Sequence, residues 1–337
     1  MTPASPNSRL PGVAFIVTSY NKEVYLPFVL KSLLAQEGDF EREYIVVDDQ
    51  STDRSPEIAM DLVGRLPNGR VLRQSNAGPA NAQDHGVRYA TLPLLKFVDG
   101  DAALTPDCIL RLLPAFETPG VAMVNGGGLE VPDISALPPI PRSAPARFRY
   151  LFDGLASAIR DSISSSSGAL VRRDAYLACG GCDRHVFIHE NSFVYRLAIR
   201  HGLAFTDDPV VVIPNHEVRV RAGNHLGEVA VQIEHDRNAA LYGLVRDFPD
   251  LPLAIRRLAF RRAAGRAWKW ARRVNGAHAG LDPSFWLNVL SYAPGLPNYP
   301  ELLRRTMEPY RRTGGVRVPT PLAESDLSGK NGAGGGI

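Results

Sequence analysis

The 337-residue sequence holds only three cysteines, Cys108, Cys179 and Cys182. So small and odd a number excludes the disulfide framework of a compact secreted domain and fits a reducing compartment. It also lacks a long hydrophobic run: no stretch of eighteen apolar residues offers a spanning helix, and the opening MTPASPNSRLPG has no apolar segment of the signal-peptide kind. Excess charge is missing too. With 38 Lys+Arg against 35 Asp+Glu the net charge is +3, which argues against a general nucleic-acid binder. Finally, the first apolar strand is followed by SYNKEVY, with no glycine-rich G-x-G-x-x-G to bring backbone amides to a dinucleotide pyrophosphate, so an NAD(P)-dependent oxidoreductase is disfavoured. The expected place is the cytoplasm, with a peripheral position on the inner membrane face left open.

What remains is ample for folding. A 45% hydrophobic content supports one large domain or two small ones with a buried core. Residues 1–11 and 313–337 read as tails too poor in apolar surface to offset chain entropy. Between them, apolar β-prone runs alternate with helical patterns: VAFIVT (13–18), a helix over 24–36, YIVVDD (44–49), a helix over 55–66, a short VLR strand, a helix after Gly78, and LLKFVD (94–99). This alternation predicts a mostly parallel sheet covered on both faces. The proline-rich segment 132–147 reads as extended, a further strand is expected over 210–213, and the chain from there to about Arg312 reads as mainly helical.

In open α/β sheets ligands bind beyond the carboxyl ends of the strands. Polar residues gather there: Ser19-Tyr20-Asn21, Asp48 to Asp53, and Asp99-Gly100-Asp101. Two carboxylates flanking a glycine can both face a hard divalent cation such as Mg²⁺ or Mn²⁺, which takes one or two carboxylates plus substrate phosphates.

The ordered set TSYN (18–21), VVDDQSTD (46–53), NAGPANAQDHG (76–86), FVDGD (97–101) and GGCDRHVFIHENSFVYRL (180–197) resembles the family 2 glycosyltransferases with the GT-A fold. The resemblance covers about 12–215. It implies that Thr18 and Tyr20 bound the nucleotide base, that Asp49 with Asp48 beside it accepts a hydrogen bond from the base, and that Asp99 lies near ribose and metal. Asp101 then ligates the metal that holds the sugar diphosphate. With Arg196 setting the register, Glu190 falls on the position of the catalytic base. Inverting transfer by one in-line displacement is what the resemblance suggests. The expected donor is a nucleotide sugar, UDP-linked first, and the expected acceptor a glycan or lipid-linked chain in surface glycan synthesis.

Two positions depart from the family pattern: Gln83 stands where an arginine is common, and His189 where an acid usually precedes the base. They support an alternative, a non-catalytic GT-A scaffold that binds nucleotide, membrane or a partner enzyme. Cys179 and Cys182 have redox or zinc spacing, but no second pair follows and they overlie a Gly-Gly turn. His216, after the last strand, is a candidate further metal or diphosphate contact. The segment 253–274, LAIRRLAFRRAAGRAWKWARRV, has eight basic side chains and no acid. Phe260, Ala263, Ala264, Ala267 and Trp270 share one helical face, opposite Arg261, Arg262, Arg266, Lys269, Arg272 and Arg273. Two readings stay open for it: contact with an anionic membrane, or packing on the domain with solvated arginines. The organisation expected is a GT-A domain over 12–225, divided into a nucleotide-sugar half (12–101) and an acceptor half (102–225), followed by a basic helical extension over 226–312.

Overall fold

The computed structural model describes residues 10–135, 146–161, 166–215, 226–319 and 321. His216, the tail before residue 10, most of the proline-rich stretch and the end of the chain lie outside the described residues. The first half realises the alternation: β1 (Leu10–Ser19), α1 (Leu26–Leu34), β2 (Phe40–Asp48), α2 (Ser55–Ala59), β3 (Gly69–Arg73), α3 (Pro79–Tyr89) and β4 (Leu94–Asp99). The first strand begins two residues inside the segment read as tail, because Leu10 already pairs with Phe40.

Both faces of this sheet are covered, which is why its strands read as unbroken apolar runs. Val13, Phe15 and Val17 pack with Leu26, Val29 and Leu30 of α1, whereas Ala14 and Ile16 pack with Ala80, Ala82 and Val87 of α3. Helix α3 comes close to the sheet at Gly86, where an added Cβ would lie 2.6 Å from Ile16 Cγ2 and 3.1 Å from Val47 Cγ2. Gly86→Val is therefore expected to overpack this layer and cost about 2 kcal/mol. The check is a lower urea midpoint with an unchanged slope.

The second half adds β5 (Ala103–Leu104), α4 (Cys108–Leu112), β6 (Val121–Val131), β7 (Arg149–Leu151), α5 (Gly154–Asp161), β8 (Ala169–Arg172), α6 (Arg173–Ala178), α7 (Glu190–Ala198) and β9 (Gly202–Pro214). The sheet order is β3-β2-β1-β4-β8-β6-β9-β5, with β7 on β9. Parallel pairing describes β3-β2-β1-β4 and β6-β9, while β8 runs antiparallel to both its neighbours and β5 and β7 antiparallel to β9. The sheet is thus mixed beyond β4. Strand β6 escapes the sequence pattern because Gly126, Gly127 and Gly128 interrupt its apolar run.

Among the described residues, helices α8 (Leu226–Asp247), α9 (Leu253–Asn275), α10 (Pro283–Leu290), α11 (Tyr299–Arg305) and α12 (Glu308–Thr313) follow. They are not an appendage. Leu241 and Leu244 of α8 and Phe260, Ala263 and Ala264 of α9 join the same apolar cluster as α3 and α7. The expected apolar face of α9 is real, and the chain itself covers it: Phe260, Ala263, Ala264, Ala267 and Trp270 are buried. Beyond α12, the backbone N–H of Arg317 donates to Gln232 Oε1 at 2.7 Å and its carbonyl accepts from Gln232 Nε2 at 2.9 Å, so this part of the segment read as flexible lies against α8. Among the described residues no helix is long and apolar enough to cross a membrane.

Candidate active site

Register brings the strand-end residues together. Thr18 pairs with Asp99 and Ser19 with Asp48, so the ends of β2, β1 and β4 form one edge. The loops leaving that edge are tied to each other through side chains. Asn21 N–H donates to Ser51 Oγ (2.9 Å), Lys22 N–H to Ser55 Oγ (2.8 Å), Glu23 N–H to Asp53 (3.0 Å), and Thr52 N–H to Asn21 Oδ1 (2.8 Å). Asn21 and Gln50 adopt φ of 52° and 67°, left-handed values that turn each chain sharply away from its strand. Tyr20 is left exposed beside this edge, its ring open for stacking.

The two adjacent aspartates serve these loops directly. Asp48 accepts from Ser51 N–H and meets Arg73 Nε at 3.3 Å. Asp49 accepts from Gln74 Nε2 (2.7 Å), Ala77 N–H (2.9 Å) and Gly78 N–H (2.9 Å), which shapes the turn into α3. Both carboxylates are buried. A nucleotide base reaching Asp49 would share it with the 74–78 loop.

At the end of β4, Ser167 Oγ donates to Asp99 Oδ2 at 2.7 Å and accepts from Asp99 N–H at 2.9 Å. Ser167 is in turn held by Lys96, a fully buried lysine whose ammonium donates to the Ser167 carbonyl. Burial pulls this ammonium below its ordinary range, opposed by Cys108 and Asp99. Asp101 forms an ion pair with Lys22 at 2.7 Å, both side chains partly open to the cleft. Among the described residues no three metal-ligating side chains converge.

Glu190 begins α7, where the helix dipole favours an acid. Its carboxyl is pushed up to about 7, chiefly by burial, with Asp99 and Asp236 adding to the shift and its own backbone N–H and Arg237 opposing it. The loop before it is fastened to α8: Asp236 Oδ2 accepts from Phe187 N–H (3.0 Å), Ile188 N–H (2.7 Å) and Gln232 Nε2 (2.8 Å).

The two departures from the family pattern touch each other. His189 Nε2 lies 2.8 Å from Gln83 Oε1, and Gln83 Nε2 donates to the Tyr176 hydroxyl at 3.0 Å, all three side chains buried. A neutral Gln–His contact thus occupies the place where the resemblance expects an arginine and an acid. Burial holds the His189 imidazole at about 4, so it is neutral at physiological pH. Gln83→Arg alone is expected to bury an unmatched cation and cost about 3 kcal/mol, and Gln83→Arg with His189→Glu to recover at least half of that. A denaturation double-mutant cycle checks it; additive losses would sink the exchange.

Cys179 and Cys182 are free thiols, both pushed up by burial, Cys179 to about 11, which suits neither thiolate redox nor metal chemistry. They flank Gly180 and Gly181, where both φ are positive and a Cβ on Gly181 would meet Asp84 Oδ1 at 2.6 Å. The turn needs glycine there. Sequence reading missed Lys22, Ser167, Asp236 and the Gln83–His189 contact. The motif spacing had flagged only the elements that carry some of them.

Comparison with known proteins agrees with this architecture. The model of the glycosyl transferase family 2 matches residues 14–180. The succinoglycan biosynthesis protein ExoO of Rhizobium meliloti is 32% identical over 115 residues, 33% of this chain and 32% of that protein. The chain spans about a third of the length of the first curated relatives it matches. Among solved structures, Staphylococcus aureus TarS 1–349 in complex with UDP-GlcNAc superposes with a TM-score of 0.53 at 15% identity, covering 90% of this chain and 92% of that one. The mannosyltransferase PcManGT of Pyrobaculum calidifontis, in complex with GDP-Man and Mn²⁺, gives 0.51 at 18% identity, covering 90% and 88%. At these identities the likeness shows the fold alone.

Proposed function

We propose, from the match of residues 14–180 to the model of the glycosyl transferase family 2, that the chain is an inverting GT-A glycosyltransferase of surface glycan synthesis. It moves a sugar from a nucleoside diphosphate donor, UDP-linked first, to an acceptor hydroxyl. The observation that carries this reading is the register that sets Thr18 beside Asp99 and Ser19 beside Asp48, so that the ends of β1, β2 and β4 meet at one acidic edge. The glycan-synthesis role draws on the relative named for succinoglycan, and the donor class on neighbours solved with UDP-GlcNAc and GDP-Man.

Each residue then has a task. Tyr20 and Thr18 bound the base, and Asp48 and Asp49 hold the loops that wall its pocket. Glu190 takes the proton of the acceptor hydroxyl as that oxygen bonds to the anomeric carbon. The bond from that carbon to the diphosphate oxygen breaks, its electron pair leaving with the nucleoside diphosphate. Lys22 is placed to exchange Asp101 for the departing phosphate oxygens. Mn²⁺ or Mg²⁺ fits the donor set: Asp99 and Asp101 are hard oxygen ligands on one loop, and two carboxylates plus phosphates are what such an ion takes. Bound there, it would neutralise charge on the leaving group.

Calorimetric titration with UDP, GDP and dTDP, each with and without Mn²⁺, tests the donor site. Metal-dependent binding of one of them by wild type supports the proposal. Nucleotide binding without turnover on any acceptor would favour a scaffold, a reading the close fit of Gln83 to His189 does not itself call for.

A further inference from the structure

The apolar face of α9 is buried, so this helix cannot insert it into a bilayer. The exposed apolar residues lie just after it instead. Leu281 is 84% exposed, Trp286 62% and Tyr292 58%, with Val289 and Leu290 also exposed. Trp286, Val289 and Leu290 fall at helical spacing on one side of α10, while Leu287 faces inward.

This apolar side adjoins the cations of α9. Asn288 and Tyr292 line one groove with Arg261, Arg262, Lys269 and Arg273. The Arg261 guanidinium stacks 4.2 Å over the Tyr292 ring, and Arg273 lies 5.7 Å from the centre of Trp270. Stacking preorients the cations. Among the described residues two acids, Asp161 and Glu234, line the groove, and Glu234 is paired with Arg237 at 2.7 Å. Deeper in, Arg266 is pulled below the ordinary guanidinium range by burial, and by Arg262 and Arg237, against Tyr195 and Glu234. Like charges are thus held together where an anion would relieve them.

We propose that residues 281–292 and the exposed cations of α9 form a docking surface for an anionic lipid bilayer, with Trp286 and its apolar neighbours entering the headgroup boundary and the cations facing lipid phosphates. Exposed Trp and Leu beside a basic face are what interfacial binding requires, and neither group alone gives stable attachment. The occupant follows from that pairing: a soluble polyanion would leave the apolar side uncovered, and a second copy would bring its own cations against these. The groove also reaches α8, where Arg237 follows the Asp236 that fastens the Glu190 loop. A membrane-anchored acceptor is the substrate class this implies, a step that rests on the proposed function; the lipid surface itself does not.

The test is co-sedimentation of the full chain with vesicles of phosphatidylcholine alone or with about a third phosphatidylglycerol, alongside nucleotide titration. Binding to the anionic vesicles only is expected. Lys269→Gln with Arg273→Gln should weaken it about 30-fold, at about 1 kcal/mol per cation lost. Trp286→Ser with Leu290→Ser should weaken it to a similar degree in high salt, where screened charges contribute least. All four side chains are exposed, and unchanged thermal midpoints confirm folding. Equal binding to both vesicles, or to neither, overturns the proposal. So does self-association of the wild type that Trp286→Ser abolishes, which makes the face a contact between copies, or displacement from vesicles by stoichiometric tripolyphosphate, which makes the groove a soluble-anion site. Failure of nucleotide binding with vesicle binding intact would count against the transferase reading alone.

Discussion

Glu190→Gln is expected to lower the turnover number about 1,000-fold while nucleotide binding stays within a factor of about two, because only the proton acceptor is lost. The wild-type pH profile should carry the signature of the same group. Its carboxyl, raised to about 7 mainly by burial, accepts a proton only when ionised. The rate should therefore rise about tenfold per pH unit below 7 and level off above it. Stability should run the other way. The folded carboxyl sits at about 7 against 4.5 unfolded, so between these values the folded state binds more protons and stability falls as pH rises. Glu190→Gln removes that fall: its thermal midpoint should exceed wild type at pH 8 and match it near pH 4. A variant that keeps wild-type turnover, or a flat profile from pH 5.5 to 8, would remove Glu190 from the base role.

Asp101→Ala should abolish metal-dependent nucleoside diphosphate binding and reduce transfer about 1,000-fold, the scale of several kcal/mol that metal stabilisation of a charged leaving group supplies. It should not unfold the protein, since both Asp101 and its ion-pair partner Lys22 are partly open to the cleft, where the freed ammonium is solvated. Lys22→Met separates the two roles. If Lys22 engages the diphosphate, this variant raises KM and lowers kcat with metal binding retained. If Lys22 only neutralises Asp101 in the resting protein, Lys22→Met leaves transfer unchanged or strengthens metal binding. Metal-dependent nucleotide binding that survives in Asp101→Ala would move the ion elsewhere.

Much of the fold is written in local pattern. The unbroken apolar runs at 13–17 and 44–47 announced strands buried on both faces, and the helical spacing of Phe260, Ala263, Ala264 and Ala267 announced a one-sided helix. Polar clusters at the ends of those runs located the cleft, and the order of five motifs pointed to a family resemblance. These signals are short-ranged: periodicity reports which face of an element is buried, and strand-end chemistry reports where loops meet solvent.

Partner choice is a different kind of information. Gln83 and His189 stand 106 residues apart, Asp99 and Ser167 68 apart, and Phe187 and Asp236 49 apart. No local pattern encodes such contacts; they exist because α3, β8 and α8 pack around the same edge. The same is true of the membrane question. The charge pattern of 253–274 was plain, but whether its apolar face met lipid or protein depended on whether α8 and α11 would cover it. They do, and the exposed apolar side falls to α10, a helix too short for its spacing to distinguish a core face from an outer one. Sequence determined the alternating elements of the first half, the strand-end acids and the family resemblance; packing alone decided which side chains those acids meet and which apolar surface was left uncovered.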